Sequence, residues 1–407
     1  MKFVSTTLFA AAVACALALQ FSAGAAAQTQ ETVLHSFSYG ADGGDPAADL
    51  IDVNGTLYGT TFGGGTYGEG TVFSVDPVTS AEAVLHMFGQ GLDGQAPAGS
   101  VIDVNGTLYG TTFIGGAYCQ GSGSDGCGVA FALDLKTGAE TVLHAFCSQE
   151  NCPDGAYPNA GLIDVQGMLI GTTTRGGANS GGTVFALDPN TGAETVLYSF
   201  CGQQNCTDGE YPYSSLIDVK GKLYGTSFYG GTTGDGTVFA FDPGTGAEKV
   251  LYSFCSRKRC EDGAAPYASL VAGEGKLYGT AYLGGRRNRG TVFALDPDTG
   301  RENVLHSFCS QPHCTDGQAP YADLIEVKGV LYGTAQEYGV HGFGGLVYAI
   351  DPKTRVETSV YSFCRILNCT DGDDPTGGVI DVGGTLYGTT ATGGTYGSGT
   401  VFELKMP

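Results

Sequence analysis

Tryptophan is absent from this chain of 407 residues, and cations are scarce: 19 Lys and Arg stand against 41 Asp and Glu. Quinoprotein blades lock together through a recurring tryptophan, and sialidase Asp boxes use one too, so its absence argues against both. A formal net charge of −22 opposes a nucleic-acid partner, because a polyanion is repelled by a surface of its own sign. Helical periodicity is missing from every stretch. Beyond Phe3–Leu19 no apolar run approaches the length of a membrane span. The six His form no metal-binding pair and no nucleophile–His–carboxylate signature, so no catalytic residue, cofactor or metal is expected.

Repetition is what the chain does have. Leu-Tyr-Gly-Thr starts at Leu57, Leu108, Leu223, Leu277, Leu331 and Leu386, and a copy at Leu169 replaces Tyr with Ile170. A second motif, Gly-Thr-Val-Phe in its commonest form, follows in step from Gly70, Gly128, Gly182, Gly236, Gly290, Gly345 and Gly399. A period of about 54 residues sustained along the chain means a repeat architecture. In the fourth copy Leu216–Val219 reads as strand A, Lys220 and Gly221 as a tight hairpin, and Lys222–Phe228 as strand B. Thr237–Asp242 reads as strand C, and Glu248–Phe254 as strand D with Val250, Tyr252 and Phe254 on one face. Four strands per unit match a propeller blade.

The first repeat is preceded by an extra strand D, Glu31–Phe37, and the seventh ends on strand C, Thr400–Leu404. The fold class expected is therefore all-β: a seven-bladed propeller of four antiparallel strands per blade, its last blade completed by the N-terminal strand. Closure would leave no open interface, where a linear solenoid would need capping repeats. It also sorts the loops. The A–B and C–D turns share one face and are uniform, whereas the B–C loops and D-to-A connections share the other and vary. Variable loops on a rigid scaffold are where ligand sites usually lie.

Residues 1–27 read as a signal peptide, from Lys2 through the apolar stretch to Ala25–Ala27, leaving 28–407 as a single propeller domain. Twelve cysteines follow. Five pairs have the form Cys-x4-Cys (Cys147/Cys152, Cys201/Cys206, Cys255/Cys260, Cys309/Cys314, Cys364/Cys369), and Cys119/Cys127 make a sixth. In an exported chain these read as disulfides, since zinc sites favour tighter spacing and a second ligand pair. The expected location is secreted, periplasmic or extracellular.

The acidity is mostly repeat chemistry, because 27 of the 41 carboxylates occupy four recurring positions. Asp42, Asp93, Asp154, Asp208, Asp262, Asp316 and Asp371 belong to an Asp-Gly-x-x-Pro turn, where Asp accepts backbone N–H groups; a calcium loop would need more closely spaced oxygens. Asp52, Asp103, Asp164, Asp218, Glu326 and Asp381 share a strand A position, either as an acidic channel mouth or as hairpin caps. His35, His86, His144 and His306 alternate with Tyr198, Tyr252 and Tyr361 at one strand D position, a packing role.

The combination of Val-Leu-Tyr-Ser-Phe-Cys, Asp-Gly-x-x-Pro, Leu-Ile-Asp, Leu-Tyr-Gly-Thr, Gly-Gly and Gly-Thr-Val-Phe resembles the GloVer repeat. Chains built from it are the choice-of-anchor tandem repeat GloVer-containing proteins, and the resemblance covers residues 31–405. It implies an exported repeat protein, often tethered by an exchangeable C-terminal sorting segment that this sequence does not display. It implies no activity.

One feature departs from the repeat. Arg257, Lys258 and Arg259 sit inside the Cys255/Cys260 loop, and Arg286, Arg287 and Arg289 lie in the next B–C loop, with Tyr229, Tyr282 and Phe228 nearby. Clustered guanidinium groups suit carboxylate, sulfate or phosphate groups on a polymer, and the aromatics suit sugar rings. The function expected is a non-catalytic exported binding module for an anionic polysaccharide or an acidic cell-surface partner, working as a monomer. The alternatives are a polysaccharide-degrading enzyme with acid and base carboxylates in the funnel, or a structural envelope protein.

Overall fold

The computed structural model describes residues 29–117 and 126–406. The signal-peptide expectation and Cys119 lie outside the described residues. Seven four-stranded antiparallel sheets form the blades of a propeller. In blade four the strands are Ile217–Val219, Lys222–Ser227, Thr237–Asp242 and Ala247–Ser253. Lys220 and Gly221 both take positive φ (59° and 82°) in the A–B hairpin, the signature of a type I′ turn. The N-terminal strand, Gln30–Ser36, pairs antiparallel with Thr400–Lys405, from Gln30 opposite Lys405 to Ser36 opposite Thr400. The ring is closed by that pairing, as the strand count requires.

The recurring motifs are blade-to-blade joints. The strand B Thr of each blade donates its hydroxyl to a main-chain carbonyl at the start of the next blade. Thr226 bonds Ala268 O at 3.0 Å, Thr111 bonds Ala160 O at 2.9 Å, and Thr389 bonds Ala48 O at 3.3 Å across the closing junction. These hydroxyls are buried, so an unmade bond would strand a carbonyl without water. The Phe ending strand D packs edge-on against the strand C aromatic of the following blade: Phe254 on Phe293 at 5.1 Å, Phe37 on Phe73 at 5.0 Å. Such pairs add about 0.5–1.5 kcal/mol each beyond their burial. Gly225 of Leu-Tyr-Gly-Thr lies under Phe239, where a Cβ would come within 2.8 Å of the ring, so only glycine fits.

Strand D does not alternate cleanly, which corrects the simple two-residue reading. Its register against strand C slips at one residue in every blade, Leu251 in blade four and Leu34 in the closing strand. The bulge lets Leu251 and Tyr252 both pack on the same core cluster with Phe254. Among the described residues no helix is long and apolar enough to cross a membrane.

Candidate functional site

Much of the repeated polar chemistry is absorbed by structure. Asp262 accepts Tyr252 Oη at 2.7 Å, Ser256 N at 2.9 Å and Arg257 N at 3.2 Å, so the turn carboxylate fastens the D-to-A connection to its own strand D. Tyr198 and Tyr361 repeat this on Asp208 and Asp371 at 2.8 and 2.9 Å, and His86 and His306 on Asp93 and Asp316, both at 3.1 Å. His and Tyr exchange at this position because either ring offers a polar tip to the Asp while its body stacks edge-on against the next Phe, as His306 does on Phe308. Burial opposes ionisation of Asp316, yet bonds from His306 and Ser310 hold its carboxyl down to about 2. The strand A carboxylates cap hairpins: Asp52 accepts Gly55 N at 3.0 Å, Asp218 accepts Gly221 N at 2.7 Å, and Glu326 accepts Gly329 N. Six of the seven copies use this cap, with Ala272 the exception, and the acidic-mouth reading has no support from this geometry.

A ring of glutamates begins strand D in all copies. Each sits across a junction from the preceding blade's turn Asp, and desolvation, with that Asp's charge beside most of them, pushes the carboxyl up. Glu31, Glu82, Glu140, Glu194, Glu302 and Glu357 rise to about 7 and Glu248 to about 8. In each, Oε1 is buried without a hydrogen-bond partner.

At blade five that ring meets the basic cluster. Arg257 Nη2 lies 2.6 Å from Glu302 Oε2 and donates to Glu302 O at 2.9 Å, which fixes the guanidinium while the side chain as a whole stays 47% exposed. Arg257 and Arg286 line one groove of about 410 Å³ along the outer strand Glu302–Ser307, together with Arg355, Glu261, His306 and Ser310. Lys258, Arg259, Arg287 and Arg289 are exposed on the same loops, and none of them makes an ion pair among the described residues. The groove does not include the two tyrosines expected with it. Tyr229 joins Tyr211 and Phe228 edge-on, on the blade-four rim, where Arg175 lies 4.4 Å over the Tyr211 ring. Tyr282 turns toward the propeller axis.

Arg355 escaped the sequence reading, although a signal existed. It occupies the last position of a C–D turn where blades two to five have Gly138, Gly192, Gly246 and Gly300, and it accepts φ 61° there. A long cationic side chain in a left-handed position favoured by glycine is a departure worth weighing.

A second hollow lies on the axis. About 430 Å³ in volume, it is lined by the residues that follow each turn proline and by Phe62, Tyr282 and Gln336 at the rim. Tyr213 stacks on Tyr267 at 4.8 Å, Tyr267 stacks on Tyr321 at 4.0 Å, and Asn159 Nδ2 donates to Tyr267 Oη at 2.9 Å. Three residues beyond the proline, Asp49 and Asp323 carry carboxyls crowded by protein yet open along one edge to the hollow. Asp49 Oδ1 accepts Gly378 N at 2.5 Å, and Asp323 Oδ1 accepts Ser269 N at 2.6 Å. Burial raises both carboxyls, Asp49 to about 7 with Asp323 adding repulsion. Phe62, Asn159, Tyr267, Tyr321, Asp49 and Asp323 were not singled out from sequence, because the ring brings them together from separate blades.

Disulfides join Cys147–Cys152, Cys201–Cys206, Cys255–Cys260, Cys309–Cys314 and Cys364–Cys369, with Cα separations of 3.9–4.0 Å. They fix the loops on the variable face and are consistent with an oxidising compartment, where such bonds persist.

Solved structures share this fold at low identity. The extracellular domain of a one-component system from B. thetaiotaomicron matches with a TM-score of 0.57 and 12% identity, over 92% of this chain and 40% of that one. An oligogalacturonate lyase in complex with manganese matches with a TM-score of 0.53 and 12% identity, over 93% of each chain. Identity that low carries the architecture alone. The chain thus spans less than half the length of the first of these structures. No curated protein matches it in sequence. The profile of the Gloeobacter/Verrucomicrobia repeat matches residues 18–204, 119–261 and 259–407, and with seven repeats joined by the motifs described above the chain belongs to that family.

Proposed function

We propose that this propeller is an extracytoplasmic binding module that grips an anionic polysaccharide, or an acidic cell-surface partner, through the cationic loops of blade five. One observation carries the reading: Arg257, Arg286 and Arg355, drawn from three separate loops, open onto one groove in a chain whose net charge is −22. Glu302 holds Arg257 in place, so little side-chain freedom is lost when a carboxylate or sulfate docks on the remaining edge. Lys258, Arg259, Arg287 and Arg289 extend the positive surface along the same loops and suit a repeating anionic chain better than a single small anion. The disulfides support a location outside the cytoplasm, and the reading needs only a monomer, no cofactor and no metal.

The test is retention on immobilised acidic and neutral polysaccharides at low salt, comparing wild type with Arg259→Glu, Arg286→Glu and Arg287→Glu combined. Arg257 is left intact because its reversal would set a second carboxylate beside Glu302. Acidic glycans should be retained by wild type, eluted by salt, and bound at least about tenfold more weakly by the variant. Equal retention by both proteins would exclude the groove. The second reading, polysaccharide cleavage, is favoured by Asp49 and Asp323 in the axial hollow; the same glycans assayed for new reducing ends or unsaturated products separate it from simple binding.

A further inference from the structure

The axial hollow is chemically unlike the blade-five groove, and its lining breaks the sevenfold repeat. The residue after each turn proline is Ala47, Ala98, Asn159, Tyr213, Tyr267, Tyr321 and Thr376 in blade order. The small residues of blades one and two open a space that the three tyrosines of blades four to six wall on the other side. Nothing in the blade-to-blade joints requires this asymmetry. The neighbouring position, which supplies the carbonyl bonded by the strand B Thr, stays Ala, Gly or Ser in all seven copies.

Among the described residues the lining contains no Lys, Arg or His. An anionic ligand would meet Asp49 and Asp323 with no counter-charge. A flat aromatic ligand would find little open ring surface, since Tyr267 is covered on both faces and the ends of the pile abut Phe228 and Tyr282. What remains is an array of hydroxyl, amide and carboxyl groups on a fixed frame: the tyrosine hydroxyls, Asn159, Gln336, Ser215 and the two Asp. Gly378 keeps the frame open, since a Cβ there would approach both Asp49 oxygens at 3.1 Å. Stacked tyrosines have little rotamer freedom left to lose, so the donors are set before a ligand arrives. The volume falls within the ~300–1,000 Å³ of small-molecule sites.

We infer that the axial hollow is a second ligand site, separate from the blade-five groove, that takes one uncharged sugar ring. Its hydroxyls bond to the Asp49 and Asp323 carboxyls and to the Asn159 and tyrosine polar groups. This does not depend on the anionic-polymer reading, and the two fail separately.

The experiment is a saturation-transfer NMR and calorimetric titration of the intact protein with galactose, glucose, mannose and xylose, and with galacturonate as the charged control. Ala98→Phe and Ala47→Phe fill the hollow from two blades without removing a packed side chain. At least one neutral sugar should bind at millimolar concentration, binding should weaken at least about tenfold in either filled variant, and the triple Arg→Glu variant should bind as wild type does. Three outcomes would overturn the site: no neutral sugar bound, neutral-sugar binding unchanged in both filled variants, or galacturonate preferred in the hollow. Neutral-sugar binding lost only in the Arg variant would also overturn the hollow, because it would place the sugar in the groove, whereas acidic-glycan retention unchanged in that variant speaks only against the groove. Two filling variants guard against one failing to fold.

Discussion

The glutamate ring makes stability depend on pH in a direction opposite to that expected of salt-bridged carboxylates. In the unfolded chain these seven Glu titrate near 4.5, whereas in the propeller burial holds six near 7 and Glu248 near 8. Between those values the native state binds more protons than the unfolded state, so stability is full below about 4.5, falls as pH rises, and levels off above about 8. Moving one carboxyl from 4.5 to about 7 corresponds to about 3.4 kcal/mol if unscreened. Most of these groups keep a solvent-facing edge, so about 1 kcal/mol each is the more realistic figure, or about 7 kcal/mol for the ring. With an unfolding entropy of about 2.1 cal/mol/K per residue over about 380 residues, that is a melting-temperature fall of about 9 °C between pH 5 and 8. Two groups of opposite sign flank the window. His35 and His86, held below their usual value by burial, cost stability as pH falls below 6.5, but they are two against seven. Asp42, Asp154 and Asp316, held low by their hydrogen bonds, lose their contribution only below about 4. Thermal melts at constant ionic strength from pH 5 to 8 should show the fall, and Glu248→Gln should recover about 1 °C at pH 8 and nothing at pH 5. A melting temperature that is flat or rises toward pH 8 would refute the reasoning, as would an equal effect of Glu248→Gln at both pH values.

Two further predictions concern the joints. Thr226→Val keeps the shape of the side chain but strands the buried Ala268 carbonyl, so urea unfolding should register a loss of about 1–3 kcal/mol, where Thr107→Val on a more open strand B position should cost little. Deleting Gln30–Ser36 exposes the outer edge of Thr400–Lys405 and removes Leu34 from the core cluster that contains Phe73, so the truncated chain should elute as aggregate in size exclusion and regain a monomer peak when a peptide of that strand is supplied; an unaffected monomer would mean the ring does not depend on this pairing.

How much was legible in the chain differs between scaffold and site. Seven in-step copies of two short motifs, with one strand D too early and one missing late, were enough to give blade number, strand order and the closing pair. Repeats constrain one another, so each ambiguous segment is read seven times. The purpose of individual residues was less visible. Leu-Tyr-Gly-Thr looked like strand propensity, yet Gly225 is there for the Phe239 ring and Thr226 for a carbonyl of the next blade. The basic loops were found because they depart from the repeat, while Arg355 was missed because its departure is a single residue on a turn assigned to the uniform face. Tyr229 and Tyr282, close to the cluster in sequence, point elsewhere.

Sequence alone determined the ring: local pattern and strand count leave one way to pair every edge. Tertiary structure alone decided where the hollow lies and what lines it. The wall of Tyr213, Tyr267 and Tyr321 and the carboxyls of Asp49 and Asp323 come from four blades up to 274 positions apart, and each is a single side chain at an unremarked loop position. Periodicity reports what is the same in every blade. A binding site on a symmetric scaffold is made of what differs between them, and those differences acquire meaning only when closure sets them around one axis.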